Sequence, residues 1–154
     1  MRHKSTAYTV KQLAVISGVT VRTLHFYDEM ALLKPAYTAT NGYRIYEEPQ
    51  LLTLQQILFY RELGFELKQI KRVLGRRDFE KSAALKSHRK VLEEKLTQTR
   101  TLLDTIDKTI QHLKGKKKMK SQELFAGFHI AAGEDPGIAR AMAQQTIAFY
   151  TGGG

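Results

Sequence analysis

Residues 8–46, YTVKQLAVISGVTVRTLHFYDEMALLKPAYTATNGYRIY, decide the fold. Residues 10–17 set apolar side chains at helical spacing, and Gly18 supplies the left-handed residue that ends a helix. Thr20 is placed to cap the next helix through its hydroxyl, and residues 21–27 follow with Leu24 turned to the core. Two short helices on a tight turn predict a helix-turn-helix, whose second helix enters a major groove. Pro35 then stops the helix and pushes Lys34 toward extended geometry. Residues 37–40 and 43–46 are β-prone and hinged at Asn41-Gly42, which predicts a hairpin with Tyr43 and Arg44 near its tip. Alone, such a hairpin is as well explained by packing. Beside a helix-turn-helix it reads as a wing, with Arg44 reaching a phosphate or minor groove and the Tyr43 hydroxyl donating to backbone oxygen.

Further along, Pro49 sits where the first turn of a helix accepts proline, and Leu51, Leu52, Leu54, Ile57, Leu58 and Leu63 supply an apolar face. Gly64-Phe65 breaks that helix, and residues 67–74 form a short fourth one ended by Gly75. Arg61, Lys68, Lys71 and Arg72 offer a second basic surface, although lysines on helices also serve solubility. From Glu80 to Leu113 no Gly or Pro intervenes. A heptad register fits, with Ser82, Arg89, Leu96, Leu103 and Ile110 at one seam position and Leu85, Leu92, Thr99, Ile106 and Leu113 at the other. A long helix cannot bury a narrow apolar stripe on itself, and the chain holds no equally long partner helix. The expectation is therefore a homodimer in which a second copy covers the stripe, each buried Leu or Ile contributing about 1.5–3 kcal/mol. Four helices packed within one chain is the competing arrangement, disfavoured by the short tail.

The chain has 154 residues, enough for one compact domain plus an extended element. Its net charge of +10 and pI near 9.8 attract phosphate or anionic surfaces. Residues 1–77 hold 12 Lys+Arg against 6 Asp+Glu, residues 78–120 hold 12 against 6, and residues 121–154 hold 1 against 3. The basic character thus belongs to the first two segments. The absence of cysteine excludes disulfides and thiolate metal sites and fits a reducing cytosol. No apolar run approaches membrane-spanning length, and the basic start lacks the apolar core of a secretory signal, so a cytoplasmic protein with no membrane partner is expected. His3, His25, His88, His112 and His129 form no pair at ligand spacing on one helix, so no metal or other cofactor is expected, and His88 and His112 give the long helix a mild pH sensitivity.

Residues 19–28 (VTVRTLHFYD), 32–35 (LLKP) and 41–46 (NGYRIY) resemble the MerR family of bacterial transcription regulators. The likeness continues through residues 54–59 and 63–70 and, with the dimer helix, covers roughly the first 113 residues. Within the family the chain looks most like the multidrug-responsive TipA and Mta branch, because residues 119–128, with ELFAGF at 123–128, resemble the opening of that branch's drug-binding domain. The resemblance implies a winged helix-turn-helix homodimer that binds a near-palindromic operator in double-stranded promoter DNA with an overlong spacer. It also implies activation by bending and untwisting that spacer, which couples the protein to RNA polymerase through the promoter, and a hydrophobic small-molecule inducer. Thr20, Arg22 and Thr23, with His25 and Tyr27 beside them, match positions that touch bases or phosphates; Tyr43 and Arg44 match wing contacts, and Arg61 a basic position of the second wing. His25 and Phe26 depart from the pattern, since many relatives carry Arg followed by Tyr or His there. Tyr37 likewise lies near a usual arginine, so a shallower salt dependence is expected. No metal-sensing cysteine is present, which removes the metal sensors of the family.

The expected fold class is mainly α: a winged helix-turn-helix head with a small β-hairpin wing over residues 1–77, a long antiparallel coiled-coil dimerisation helix over 78–114, and a basic linker with a short helical, truncated effector-like tail over 115–154. The seam residues expected to carry dimerisation are Leu85, Leu92, Leu96, Leu103, Ile106, Ile110 and Leu113. The lysines of residues 114–120 read as a solvated hinge. Residues 135–140 resemble a helix start, and residues 121–154 are too few for a full effector domain of the branch. Phe125, Phe128 and Tyr150 are candidates for a ligand patch, against a stabilising cap as the commoner use of such residues. Two regulatory classes follow, a ligand-responsive activator and an effector-independent DNA-binding regulator. An enzyme is disfavoured, because no nucleophile-base-orienter set and no phosphate-cradling glycine loop is visible.

Overall fold

A computed structural model of the protein describes residues 7–128. The chain divides at Phe79/Glu80 into two compact units. The first opens with a two-residue strand, β1 (Tyr8–Thr9), and helix α1 (Val10–Ser17), entered through a reciprocal cap between Thr9 and Gln12 and closed at Gly18 with φ +76°. Helix α2 (Val21–Glu29) follows after three residues. The Thr20 hydroxyl oxygen accepts from the Thr23 amide at 3.0 Å, the cap expected of it.

Strands β2 (Tyr37–Thr38) and β3 (Arg44–Tyr46) form the hairpin. Its turn is wider than a two-residue Asn-Gly hinge: the Gly42 amide donates to the Ala39 carbonyl, and Gly42, not Asn41, takes the left-handed conformation at φ +85°. Sequence reading had no place for β1. It pairs antiparallel with β3, Tyr8 opposite Tyr46, making a three-stranded sheet in the order β1-β3-β2. Helix α3 (Glu48–Glu62) carries Pro49 in its first turn and ends before Gly64, φ +87°; helix α4 (Leu67–Leu74) ends at Gly75.

The core of this unit gathers Leu13, Leu24, Leu33, Leu54, Ile57, Ile70 and Val73 around three tyrosines, Tyr27, Tyr46 and Tyr60. Tyr60 lies against Phe65 with ring centroids 4.9 Å apart. Leu54 and Ile57 point inward as expected, whereas Leu52 is exposed and Leu51, Leu58 and Leu63 are half-buried. Ala31 is the one non-glycine residue of positive φ, +59°, among the described residues. It sits where the chain leaves α2 and the Leu32 and Leu33 amides turn back to the Tyr27 carbonyl.

The second unit is built on helix α5 (Lys81–Leu113), 33 residues capped by Glu80, whose carboxylate accepts from the Ser82 and Ala83 amides at 2.9 Å. All seven apolar seam residues expected from the heptad register are exposed. The chain then reverses at Gly115, and residues 119–127, including a single 3₁₀ turn (Ser121–Phe125), run back along α5. The His112 Nδ1 accepts from the Met119 amide at 3.0 Å, the Thr105 hydroxyl donates to the Ala126 carbonyl at 2.8 Å, and the Gln98 amide donates to the Gly127 carbonyl at 3.0 Å. This strap lies on the face of α5 marked by Gln98, Leu102, Thr105 and His112, distinct from the apolar seam. Among the described residues no helix is long and apolar enough to cross a membrane, and no cluster of three or more His, Asp or Glu is grouped to hold a metal ion.

Candidate nucleic-acid interface

The first unit presents its polar surface from two adjacent pieces, the opening turn of α2 and the hairpin. Arg22 is exposed on that turn with Thr20, and Thr23 is half-buried, its hydroxyl accepting from the Thr20 hydroxyl at 2.9 Å. No acidic residue lies in this first turn, so the positive end of the helix and its cap face solvent uncompensated. His25 is half-buried on the same helix and Phe26 exposed.

On the hairpin, Tyr43 is exposed at 61% and its amide is tied to the Asn41 side chain at 3.1 Å. Arg44 is half-buried. Its Nε donates to Asp28 Oδ2 at 2.7 Å, and the Lys34 Nζ lies 3.1 Å from the other oxygen, Oδ1. One carboxylate at the end of α2 therefore joins the wing to the loop before it. Burial pushes the Asp28 carboxyl up, but the hydrogen bonds and charges of Lys34 and Arg44 outweigh it and hold the group below the ordinary carboxylate value. Behind them the Tyr46 phenol is raised, first by burial and then by the charge of Asp28, against the opposing charge of Arg44. A shallow cavity of about 470 Å³ opens at this junction, with Asp28, Lys34, Thr38 and Arg44 in its wall.

With this geometry in place, the likeness to known proteins is specific. Residues 8–76 match the model for MerR HTH family regulatory proteins, and residues 51–116 match the MerR DNA-binding model. A crystal structure of the HTH-type transcriptional regulator SkgA from Caulobacter crescentus superposes with a TM-score of 0.75 at 41% identity, over 93% of this chain and 99% of that one. An uncharacterized HTH-type transcriptional regulator of Pseudomonas aeruginosa is 31% identical over 69% of this chain and 85% of its own length. The chain belongs to the MerR family. Another relative, the HTH-type transcriptional activator mta of Bacillus subtilis, is 44% identical over 120 residues, which are 78% of this chain and 47% of that protein. The chain thus spans about half the length of that relative.

Against the MerR pattern, the structure brings Thr20, Arg22 and Thr23 together on the first turn of α2 and sets Tyr43 and Arg44 on the wing. Tyr27 is set apart from them. It is buried, on the Leu24 side of α2, and only its hydroxyl is reached, by Arg61 Nη1 at 2.8 Å. Arg61 itself is exposed near the end of α3. The seam residues Leu85, Leu92, Leu96, Leu103, Ile106, Ile110 and Leu113 lie in the second unit, exposed along α5. Phe125 is exposed on the strap and Phe128 directly after it, and Tyr150 lies outside the described residues.

Sequence reading missed Asp28 and Lys34. A signal for Asp28 existed: it is an acid in the last turn of a helix that has no basic residue there, an arrangement the helix dipole disfavours unless a cation is brought from elsewhere.

Proposed function

We propose that the protein is a cytoplasmic transcription regulator that binds promoter DNA as a homodimer. The observation that carries the reading is the pairing, within one unit, of a capped and acid-free turn bearing Thr20, Arg22 and Thr23 with a wing bearing Tyr43 and Arg44. The turn suits a major groove and the wing the flanking backbone, with Arg61, held by Tyr27, as a further phosphate contact. The exposed seam of α5 supplies the dimer: a row of Leu and Ile, broken only at Ser82, Arg89 and Thr99, on a 33-residue helix calls for an apolar partner of equal length, and a second copy is one. Antiparallel pairing places two heads on one operator. The output is activation, by bending and untwisting an overlong promoter spacer so that RNA polymerase engages it. The relatives are named as transcriptional activators and regulators, and the role is non-catalytic.

Selection of a bound sequence from a random duplex pool, followed by transcription from a promoter carrying it, tests this directly. An enriched near-palindrome with increased transcript supports the reading. No enrichment at low salt overturns it. Repeating transcription with hydrophobic cationic compounds separates a ligand-responsive activator, induced only with compound, from an effector-independent one of equal output in both.

A further inference from the structure

We propose that the junction of α2 and the wing is a preorganised notch for one DNA backbone phosphate, in which Asp28 is a positioning residue that holds the Arg44 guanidinium by its Nε and leaves its terminal Nη groups to grip the phosphate. This rests on the DNA-binding reading above and adds to it an acidic residue working in favour of a polyanionic ligand.

The geometry of the tether carries the argument. An arginine that meets a carboxylate through both Nη groups spends its outer fork. Here the carboxylate takes Nε, at 2.7 Å, and no other hydrogen bond from the Arg44 guanidinium is found among the described residues. The two Nη groups keep their four N–H donors, in the fork that suits two oxygens of a phosphate. Asp28 has little freedom of its own: its side chain is 13% exposed, it sits on the last turn of α2, and its second oxygen is engaged by Lys34 at 3.1 Å. Lys34 keeps its ammonium largely in solvent, 65% exposed, on the other side of the same carboxylate. Two cations are thus fixed about one anion, at the rim of a cavity of about 470 Å³ that Thr38 also lines. A free arginine loses rotamer freedom when it meets a phosphate; a tethered one has already lost it. The net charge of the trio is +1, so the notch still attracts phosphate.

The alternative role for an acid at this place is a mask that competes with DNA for Arg44, and the two roles predict opposite signs. The test is fluorescence anisotropy of the full chain with a fluorescein-labelled mixed-sequence duplex, two helical turns long, over a range of salt concentrations. For Asp28→Asn the expected result is a loss of affinity of about tenfold and a salt slope shallower by about one counterion, although the protein has become more positive. Asp28→Glu is expected to restore most of the affinity, and Asp28→Asn in an Arg44→Ala background to cost nothing further. Tighter or unchanged binding by Asp28→Asn overturns the proposal. Should that variant fail to fold, as read by its melting temperature, Arg44→Lys keeps the charge and removes the Nε tether: weaker binding supports the notch, and equal binding overturns it. Absence of duplex binding by the unaltered chain defeats the DNA-binding reading itself and is separable from each of these results.

Discussion

The two units bury opposite things. The head encloses leucines, isoleucines and three tyrosines and turns its cations outward. The rod buries Ala84, His88 and Thr105, and leaves Leu96, Leu103 and Ile106 at least half exposed. A domain that satisfies its apolar surface internally has a complete core, whereas a helix that hides a small residue, an imidazole and a hydroxyl while showing its leucines is half of one. The contrast marks where the chain completes its own core and where the proposed dimer would add a second copy.

The largest effect is expected on the incomplete half. Leu96→Asp with Leu103→Asp removes two anchors of about 1.5–3 kcal/mol each and sets charges in their place, so the dimer should dissociate by several orders of magnitude while the head stays folded. Sedimentation velocity reads the change. A persistent dimer would mean that the seam is not the interface.

His88 gives the next test, from inside the rod. Burial lowers its pKa to about 4 from the ordinary 6.5. The unfolded chain therefore binds the extra proton at higher pH than the folded one, and stability present above pH 6.5 declines as pH falls toward 4, by on the order of 3 kcal/mol in all. Urea midpoints across that range should show the decline, and His88→Gln should flatten it. The same slope in both proteins would assign the titration elsewhere.

On the head, Arg22→Ala and Arg44→Ala should each weaken duplex binding about tenfold without altering sedimentation. Full affinity in both variants would remove the docking model. A comparable local effect is expected in the strap at Gly127, where φ is +89° and an added Cβ would stand 3.0 Å from the Leu102 side chain and 3.1 Å from its amide nitrogen. Gly127→Ala should speed hydrogen exchange at the Met119 amide by about tenfold, since such strain costs roughly 1–3 kcal/mol. The smallest effect is a gain. Ala31→Gly should raise head stability by about 0.5–1 kcal/mol, because Ala31 holds a left-handed conformation that alanine resists. A lower melting temperature would count against that account.

Much of this was legible in the chain because the determinants are local. Thr20, Gly18, Gly64 and Pro49 punctuate helices by rules that act over three or four residues, and the α5 stripe repeats at two heptad positions, five times each. Strand β1 escaped notice because two residues cannot display an alternation. The strap escaped because it is held by a hydroxyl, an amide and an imidazole, and such bonds leave no periodic trace. The inward turn of Tyr27 was readable, since it lies three residues after Leu24 on one helical face, yet a tyrosine suits both a core and a phosphate. The meeting of Asp28 with Arg44 spans 16 positions and depends on how the hairpin folds over the end of α2, which no local rule specifies.

The reversal after α5 has a geometric corollary. Residue 97 is the midpoint of Lys81–Leu113, and Gln98 holds the carbonyl of Gly127. The end of the strap accordingly lies at the waist of the rod and not at its tip. Because the strap occupies a face of α5 away from the apolar seam, a helix laid along that seam would leave its bonds at Gln98, Thr105 and His112 untouched.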